Sequence, residues 1–599
     1  MTLQEFHEPD LVLYPKTGSV CDDVERMAGE NPDRVMLRRR LGDDWVDVTA
    51  AEFRRQVVEL AKGLIASGVE PGDRVGLMSA TRYEWTLADY AIWYVGAITV
   101  PIYETSSAEQ VEWILEDSGA VAVFLESEKH KAIFAEVKPD LPGVAHAWVI
   151  EEGAVEALVS AGAKVPDKEV ATRRSALTPD TLATLIYTSG TTGRPKGCEL
   201  SHGNFMFEVR NVVNSMPELF LKEGSSTLLF LPLAHVFGRL IQIGCINSGT
   251  VLGHSSDLKN LLDDLAVFQP AFLLSVPRVF EKVYNASQQK AASAGKGQIF
   301  ATAANVAIDY SRAMDTGGPS LFLRLKHLIF DRLVYSKLRA ALGGRVEWAV
   351  SGGAPLGERL GHFFRGIGVT ILEGYGLTET AGASTLNRPD HLRIGTVGKP
   401  IPGAGVKIAD DGEILLAGGQ IFQGYWRNEV ATTAAIESDG WFHSGDIGEL
   451  DDEGYLRITG RKKELIVTAG GKNVAPAVLE DRLRAHWLVS QCMVVGDNQP
   501  FIAALVTLDP ESVETWSQQQ GLARPLSLAE AAENAAILAE INAAVDEANK
   551  AVSHAEAIKK FRILDVDWTE DGGQLTPSMK LKRGVVMSEF SDQVEQLYS

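Results

Sequence analysis

The densest chemistry in the chain lies at Tyr187-Thr-Ser-Gly-Thr-Thr-Gly-Arg-Pro-Lys-Gly197, eleven residues that hold three glycines, four aliphatic hydroxyls and one lysine. Glycines let backbone N–H groups approach an anion closely, hydroxyls donate hydrogen bonds, and Lys196 adds positive charge. Phosphate is the anion this set suits. The loop follows the apolar run Leu182–Tyr187, which reads as a strand. A P-loop of the GxxxxGK[ST] form needs Gly before its Lys and a hydroxyl after it; here Pro195 and Gly197 occupy those places, so this is a phosphate loop of another kind.

The segment resembles the phosphate-binding signature of the adenylate-forming superfamily, which includes acyl-CoA synthetases, luciferases and peptide-synthetase adenylation domains. Five more segments follow in the family's order. Leu231-Pro-Leu-Ala-His-Val-Phe-Gly-Arg239 is similar to a core segment bordering the acyl and pantetheine channels. Gly374-Tyr-Gly-Leu-Thr-Glu-Thr380 is similar to the adenine- and magnesium-binding segment, and Trp441-Phe-His-Ser-Gly-Asp-Ile-Gly448 to the ribose-binding one. Gly460-Arg-Lys-Lys-Glu464 resembles the hinge, and Leu575-Thr-Pro-Ser-Met-Lys-Leu-Lys-Arg583 the C-terminal catalytic-lysine segment.

The resemblance implies a nucleotide site built from Thr188, Ser189, Gly190, Thr191, Thr192, Gly193 and Lys196, with Gly374, Tyr375, Gly376 and Thr378. Gly352, Gly353 and Ala354, directly after a strand, would take the adenine. Glu379 follows the glycine turn that ends the run Val369–Leu372, and a loop at the carboxyl end of a parallel strand is where α/β sheets hold ligands. One carboxylate there suits Mg²⁺, which takes few protein ligands and keeps its waters. The resemblance assigns Asp446 to the ribose hydroxyls, Arg461 to ribose or phosphate, and Lys463 to the hinge. It assigns His235 to a gate near the acyl carboxylate, and Gly470 and Gly471 to the CoA channel. Lys580 is the catalytic lysine, with Lys582 as the rival assignment. Many relatives carry Gly before this lysine and this chain carries Met579, which matches long-chain acyl-CoA synthetases better.

Elements must position these groups. The apolar runs Asp73–Met78, Val121–Leu125, Leu182–Tyr187, Leu228–Leu231, Phe272–Ser275, Val346–Val350 and Val369–Leu372 alternate with helical spacing such as Ala51–Gly68. Continuous apolar strands between helices predict an α/β fold with parallel sheets covered on both faces. At 599 residues the chain is too long for one domain. We expect a large N-terminal ATP- and acyl-binding domain over 1–460, with a β-rich subdomain at about 400–458. A small mobile α+β domain over 461–599 would carry Lys580. Its helices are expected at Ala475–His486 and Leu528–Ala551, and its strands at Gln491–Val495 and Ala503–Leu508.

The formal net charge is −22, which argues against nucleic-acid binding. Residues 278–345 reverse it, with eleven Lys or Arg against four Asp or Glu. Within them Ser320–Leu342 alternates Leu, Phe and Ile with Arg324, Lys326, Arg332, Lys337 and Arg339. Two readings fit: a helix packed on the large domain with a solvated basic face, or a peripheral contact with an anionic membrane surface. Four cysteines without a paired spacing predict neither disulfides nor a structural zinc site. The N-terminal residues lack the apolar core of a signal peptide, so a cytoplasmic protein is expected, at the inner face of the membrane on the second reading.

Val276–Tyr284, the insertion after it, Leu333–Pro355 and Val552–Leu564 resemble actinobacterial long-chain fatty-acid–CoA ligases. The implied reaction couples a long-chain fatty acid, ATP and CoA, with Mg²⁺ as cofactor. An acyl-AMP ligase that loads a carrier protein and a non-catalytic nucleotide- or acyl-binding regulator are the alternatives. Chain-length preference and oligomeric state have no signature in the sequence.

Overall fold

The computed structural model describes residues 3–42, 44–188, 194–256, 260–469, 472–570, 572–576 and 580–599. Ser189, Gly190, Thr191, Thr192, Gly193, Gly470 and Gly471 therefore lie outside the described residues.

The apolar runs form strands. Leu182–Thr188, Ile98–Ile102, Arg74–Met78, Ala122–Leu125 and His146–Val149 lie side by side in that order, all parallel. Ala122–Leu125 is buried at every residue, as a strand covered on both faces requires. Helix Ala50–Ala66 starts where the Thr49 side chain accepts from Glu52 N, and it buries Phe53, Val57, Leu60, Ala61 and Leu64 on one helical stripe. Beyond the parallel strands the sheet ends in a hairpin. Lys196–Ser201 runs antiparallel to Leu182–Thr188, and the two-residue strand Gly424–Tyr425 adds to its outer edge.

A second sheet sets Phe272–Ser275, Trp348–Ser351 and Thr370–Tyr375 in parallel, followed by Thr385–Leu386 and Lys399–Pro400. A third is wholly antiparallel: Glu5–His7, Gly405–Ile408, Glu413–Ala417, Phe442–Leu450 and Leu456–Arg461. Four of its strands fall between residues 405 and 461, and one is recruited from the start of the chain. A fourth sheet pairs Val35–Leu41 and Asp44–Thr49 with Val251–His254 and Ser226–Leu229.

From Ile466 onward the chain has its own apolar cores around Val489–Val495, Ile502–Leu508 and Ile558–Ile563. The helical stretch expected over Leu528–Ala551 is two helices, Leu528–Ala532 and Ala535–Asn549. The Asn534 side chain accepts from Ala536 N and Ile537 N and starts the second anew. Polar contacts join this part to the rest: Arg278 Nη2 lies 3.8 Å from Asp509 Oδ2, and the Thr105 hydroxyl bonds Glu570. No helix among the described residues is long and apolar enough to cross a membrane. The four cysteines are free and buried.

Candidate active site

The hairpin fixes the two ends of the glycine-rich loop. Thr188 and Lys196 are register partners, so the hydroxyl and the lysine stand opposite each other at the loop's base. The segment 418–428 closes over that base: Trp426 N donates to Gly197 O at 2.8 Å, and Phe422 N to Glu379 O at 2.9 Å. Tyr425 lies between the two charges. Its hydroxyl donates to Glu379 Oε1 at 2.9 Å, and Lys196 Nζ sits 4.9 Å from its ring centroid. The other Glu379 oxygen has no hydrogen bond among the described residues. A single hard oxygen left uncommitted near a phosphate-type loop fits Mg²⁺, which needs few protein ligands beside phosphate and water.

Gly374 and Tyr375 end a strand, and the chain then turns at Gly376. A Cβ there would fall 1.6 Å from the carbonyl oxygen of Gly382, so this glycine serves the close crossing of two loop strands. Behind the loop, buried Glu208 accepts from Ala383 N, and burial pushes its carboxyl well above the usual range. Gly352 backs onto the Phe237 ring, and Gly353 takes φ +83°, with Gly353 and Ala354 exposed after strand Trp348–Ser351.

Asp446 is almost fully buried and holds two partners. Tyr375 OH donates to Oδ2 at 2.6 Å and Arg461 Nε to Oδ1 at 2.9 Å. Asp446 and Arg461 face each other across the last two strands of the antiparallel sheet. Each carboxylate oxygen still has a lone pair to offer a hydroxyl. Lys463 follows in a short exposed turn, Lys462–Glu464.

His235 caps helix Val236–Ser248, its Nδ1 accepting from Phe237 N at 3.1 Å. Burial, with Lys580 adding to it, pushes the imidazole down to about 3, so it is neutral at ordinary pH. One turn on, Arg239 ties this helix to the loop-bearing sheet. Its guanidinium bonds Asp89 Oδ1 and the Thr184 hydroxyl, both at 2.5 Å, four residues before Thr188. Such a buried pair fixes the helix relative to the strand that carries Thr188.

Lys580 reaches this neighbourhood from the C-terminal part. Its backbone N donates to Thr576 Oγ1 at 3.0 Å, and Thr576 N returns a bond to its carbonyl. Although it stays exposed, surrounding protein and the Arg461 guanidinium lower its ammonium pKa, against Asp446, Glu379 and Glu464, which hold it up. The same lysine depresses His235. His235, Glu379, Asp446, Arg461 and Lys580 thus share one electrostatic neighbourhood. Tyr425, Phe237, Glu208 and Asp89 join the site without a chemical signature of their own in the sequence. Gly424-Tyr-Trp-Arg427 was the one available signal, an aromatic pair after a glycine.

A lysine from a separately cored C-terminal part, set in the charge field of Glu379, Asp446 and Arg461 of the large part, is the arrangement of an adenylate-forming enzyme. The chain belongs to the AMP-binding enzyme family: that family's model matches residues 24–426, and the model of the AMP-binding enzyme C-terminal domain matches 463–599. Among curated relatives it is 55% identical over 595 residues to the long-chain-fatty-acid–CoA ligase FadD15 of Mycobacterium tuberculosis, covering 98% of this chain and 99% of that one. It is 31% identical to the long-chain-fatty-acid–CoA ligase ACSBG2 of Xenopus laevis, over 94% of this chain and 82% of that one. The adenylation domain of a carboxylate reductase from Mycobacterium chelonae shares the fold, with a TM-score of 0.73 at 23% identity over 97% and 91% of the two chains.

Proposed function

We propose that this chain is an ATP-dependent long-chain-fatty-acid–CoA ligase, cytoplasmic, with its large domain over 1–460 and a mobile domain over 461–599. In the first half-reaction a fatty carboxylate oxygen attacks the α-phosphorus of ATP. The bond from that phosphorus to the bridging oxygen breaks, pyrophosphate leaves, and acyl-AMP remains. Thr188, Lys196 and the loop between them hold the phosphates, and Lys580 neutralises charge on the carboxylate and α-phosphate oxygens. Asp446 and Arg461 fix the ribose, and the 352–354 and 374–378 loops hold the adenine. Glu379 would hold Mg²⁺, which supplies charge neutralisation to the phosphate oxygens when bound.

The C-terminal part then turns about Lys463, withdrawing Lys580 and bringing Gly470 and Gly471 to the pantetheine. The CoA thiol sulfur attacks the acyl carbonyl, its proton passes to water, and the C–O bond to phosphate breaks to release AMP. Neutral His235 lines the acyl–thiol approach without repelling or attracting charge.

The observation that carries this reading is Lys580 in the same charge field as Glu379, Asp446 and Arg461. The test is AMP release across a panel of fatty acids from octanoate to eicosanoate, with CoA or an acyl-carrier protein as acceptor. CoA-dependent AMP release with the long chains is expected. Release only with the carrier protein would assign the chain to acyl-AMP ligases, and none with any acid would make it a binding protein. Peripheral contact with an anionic membrane surface through residues 278–345 completes the proposal.

A further inference from the structure

Within the basic insertion, helix Leu321–Phe330 buries none of its residues. It continues through the π-helical turn Asp331–Tyr335 into Ser336–Ala341. One side grips the large domain. His327 Nε2 bonds Gly366 O at 2.6 Å, with its ring stacked on Tyr310 at 3.9 Å. Tyr335 OH donates to Ala303 O at 2.7 Å, and Arg339 Nη1 donates to Ile367 O at 2.7 Å. The helix is therefore held in place with its opposite face outward.

That outward face is apolar. Leu321, Phe322, Leu325, Leu328, Ile329 and Leu333 are all half or more exposed, from 50% at Ile329 to 84% at Leu321. Isolated exposed leucines need no explanation, but six on one helical stretch form a patch. Arg324, Lys326, Arg332 and Lys337 border it, and none forms an ion pair among the described residues. Asp331, the acid in this stretch, is already bonded to Arg339. The Lys326 ammonium lies 4.4 Å from the Phe322 ring centroid, so charge and apolar surface are adjacent.

We infer that this face docks on an anionic lipid bilayer, with Phe322, Leu325, Leu328 and Ile329 among the acyl chains and the four cations at the headgroups. Apolar side chains flanked by lysine and arginine are what an interfacial helix presents. A second copy of the chain fits less well, because a two-fold interface lays a patch on itself and would oppose four cations to four cations. This deepens the membrane part of the proposed function and gives the insertion a role: it sets the enzyme on the phase in which a long acyl chain dissolves.

The test is flotation of the full chain with vesicles of phosphatidylcholine alone, or with phosphatidylglycerol in about a 3:1 ratio. Wild type should float with the anionic vesicles and release them at high salt. The triple variant Phe322→Ser, Leu325→Ser, Ile329→Ser should float at least about tenfold less. The variant Arg324→Gln, Lys326→Gln, Arg332→Gln, Lys337→Gln should lose the preference for phosphatidylglycerol. Thermal melting and octanoate-dependent AMP release should match wild type in both. The melting readout keeps flotation interpretable even if no acid is turned over. Flotation of the triple variant like wild type would overturn the inference, as would no flotation of wild type. A wild-type dimer in gel filtration that the triple variant loses would assign the face to a second copy instead.

Discussion

The Tyr425 hydroxyl donates to Glu379 Oε1 at 2.9 Å while the Lys196 ammonium lies over the face of the same ring. One aromatic residue thus contacts both the carboxylate and the phosphate-loop lysine. Tyr425→Phe keeps the ring and removes one hydrogen bond to a charged group, worth about 1.5–3 kcal/mol. We expect the Mg²⁺ concentration for half-maximal AMP release to rise by roughly tenfold. Glu379→Gln should lose most activity at any Mg²⁺ concentration. An unchanged Mg²⁺ dependence in Tyr425→Phe would show that the bond does not orient Glu379.

Asp446 and Arg461 form the second paired element. Because they are register partners at the end of the antiparallel sheet, their 2.9 Å bond is set by the strand pairing. Asp446→Asn keeps the shape but removes the charge that Tyr375 and Arg461 both address. We expect the KM for ATP to rise by about tenfold or more, with a smaller change in the KM for the fatty acid. Equal rises in both would place Asp446 outside the ribose site.

Lys580 separates the two half-reactions. Lys580→Ala should cut acyl-dependent ATP–pyrophosphate exchange by at least about a hundredfold. Thioester formation from supplied acyl-AMP and CoA should stay within about threefold of wild type, because that step needs the lysine withdrawn. Equal loss of both would refute its assignment to adenylation. The sign of its pKa also matters. The surrounding protein and Arg461 lower the ammonium's pKa, so the cation is lost earlier on the alkaline side than for a lysine in water. Pyrophosphate exchange should therefore fall at a lower pH than thioester formation from acyl-AMP.

The parallel strands were legible because strands buried on both faces leave uninterrupted apolar runs, as at Ala122–Leu125 and Phe272–Ser275. The site loops were legible because Gly, Thr and Lys cluster at the ends of those runs. Short elements that depend on distant partners were not. Glu5–His7 is a strand because Gly405–Ile408 offers it an edge, and its own three residues carry no pattern. Tyr425 has no signature in the sequence because its meaning arises only where the 418–428 segment crosses the hairpin. The break at Asn534 is a local capping effect that helical periodicity overruns. The π-turn at Asp331–Tyr335 is likewise invisible to a 3.6-residue count, yet it lets Tyr335 and Leu338 turn inward while Leu333 stays outside.

Glu373 carries the last prediction. It sits on the strand that delivers Tyr375, buried, with Oε1 accepting from Leu356 N at 3.0 Å. Burial pushes its carboxyl up to about 7, and Asp481 and Glu358 add to the shift. Asp481, in the C-terminal part, is pushed up to about 6 by burial, with Glu480 and Glu281 adding to it and Arg484 opposing it. The sign follows from which state holds the proton. Between the ordinary carboxylate pKa of 4.5 and about 7, the folded chain keeps Glu373 protonated while the unfolded chain has lost that proton. Stability is therefore greatest at the acid end of this window and is lost as pH rises through it, by up to about 3 kcal/mol. Glu373→Gln holds the neutral shape at every pH. Its urea midpoint should match wild type near pH 5 and exceed it near pH 7.5, and parallel pH slopes in the two proteins would show that Glu373 is ionised in the fold.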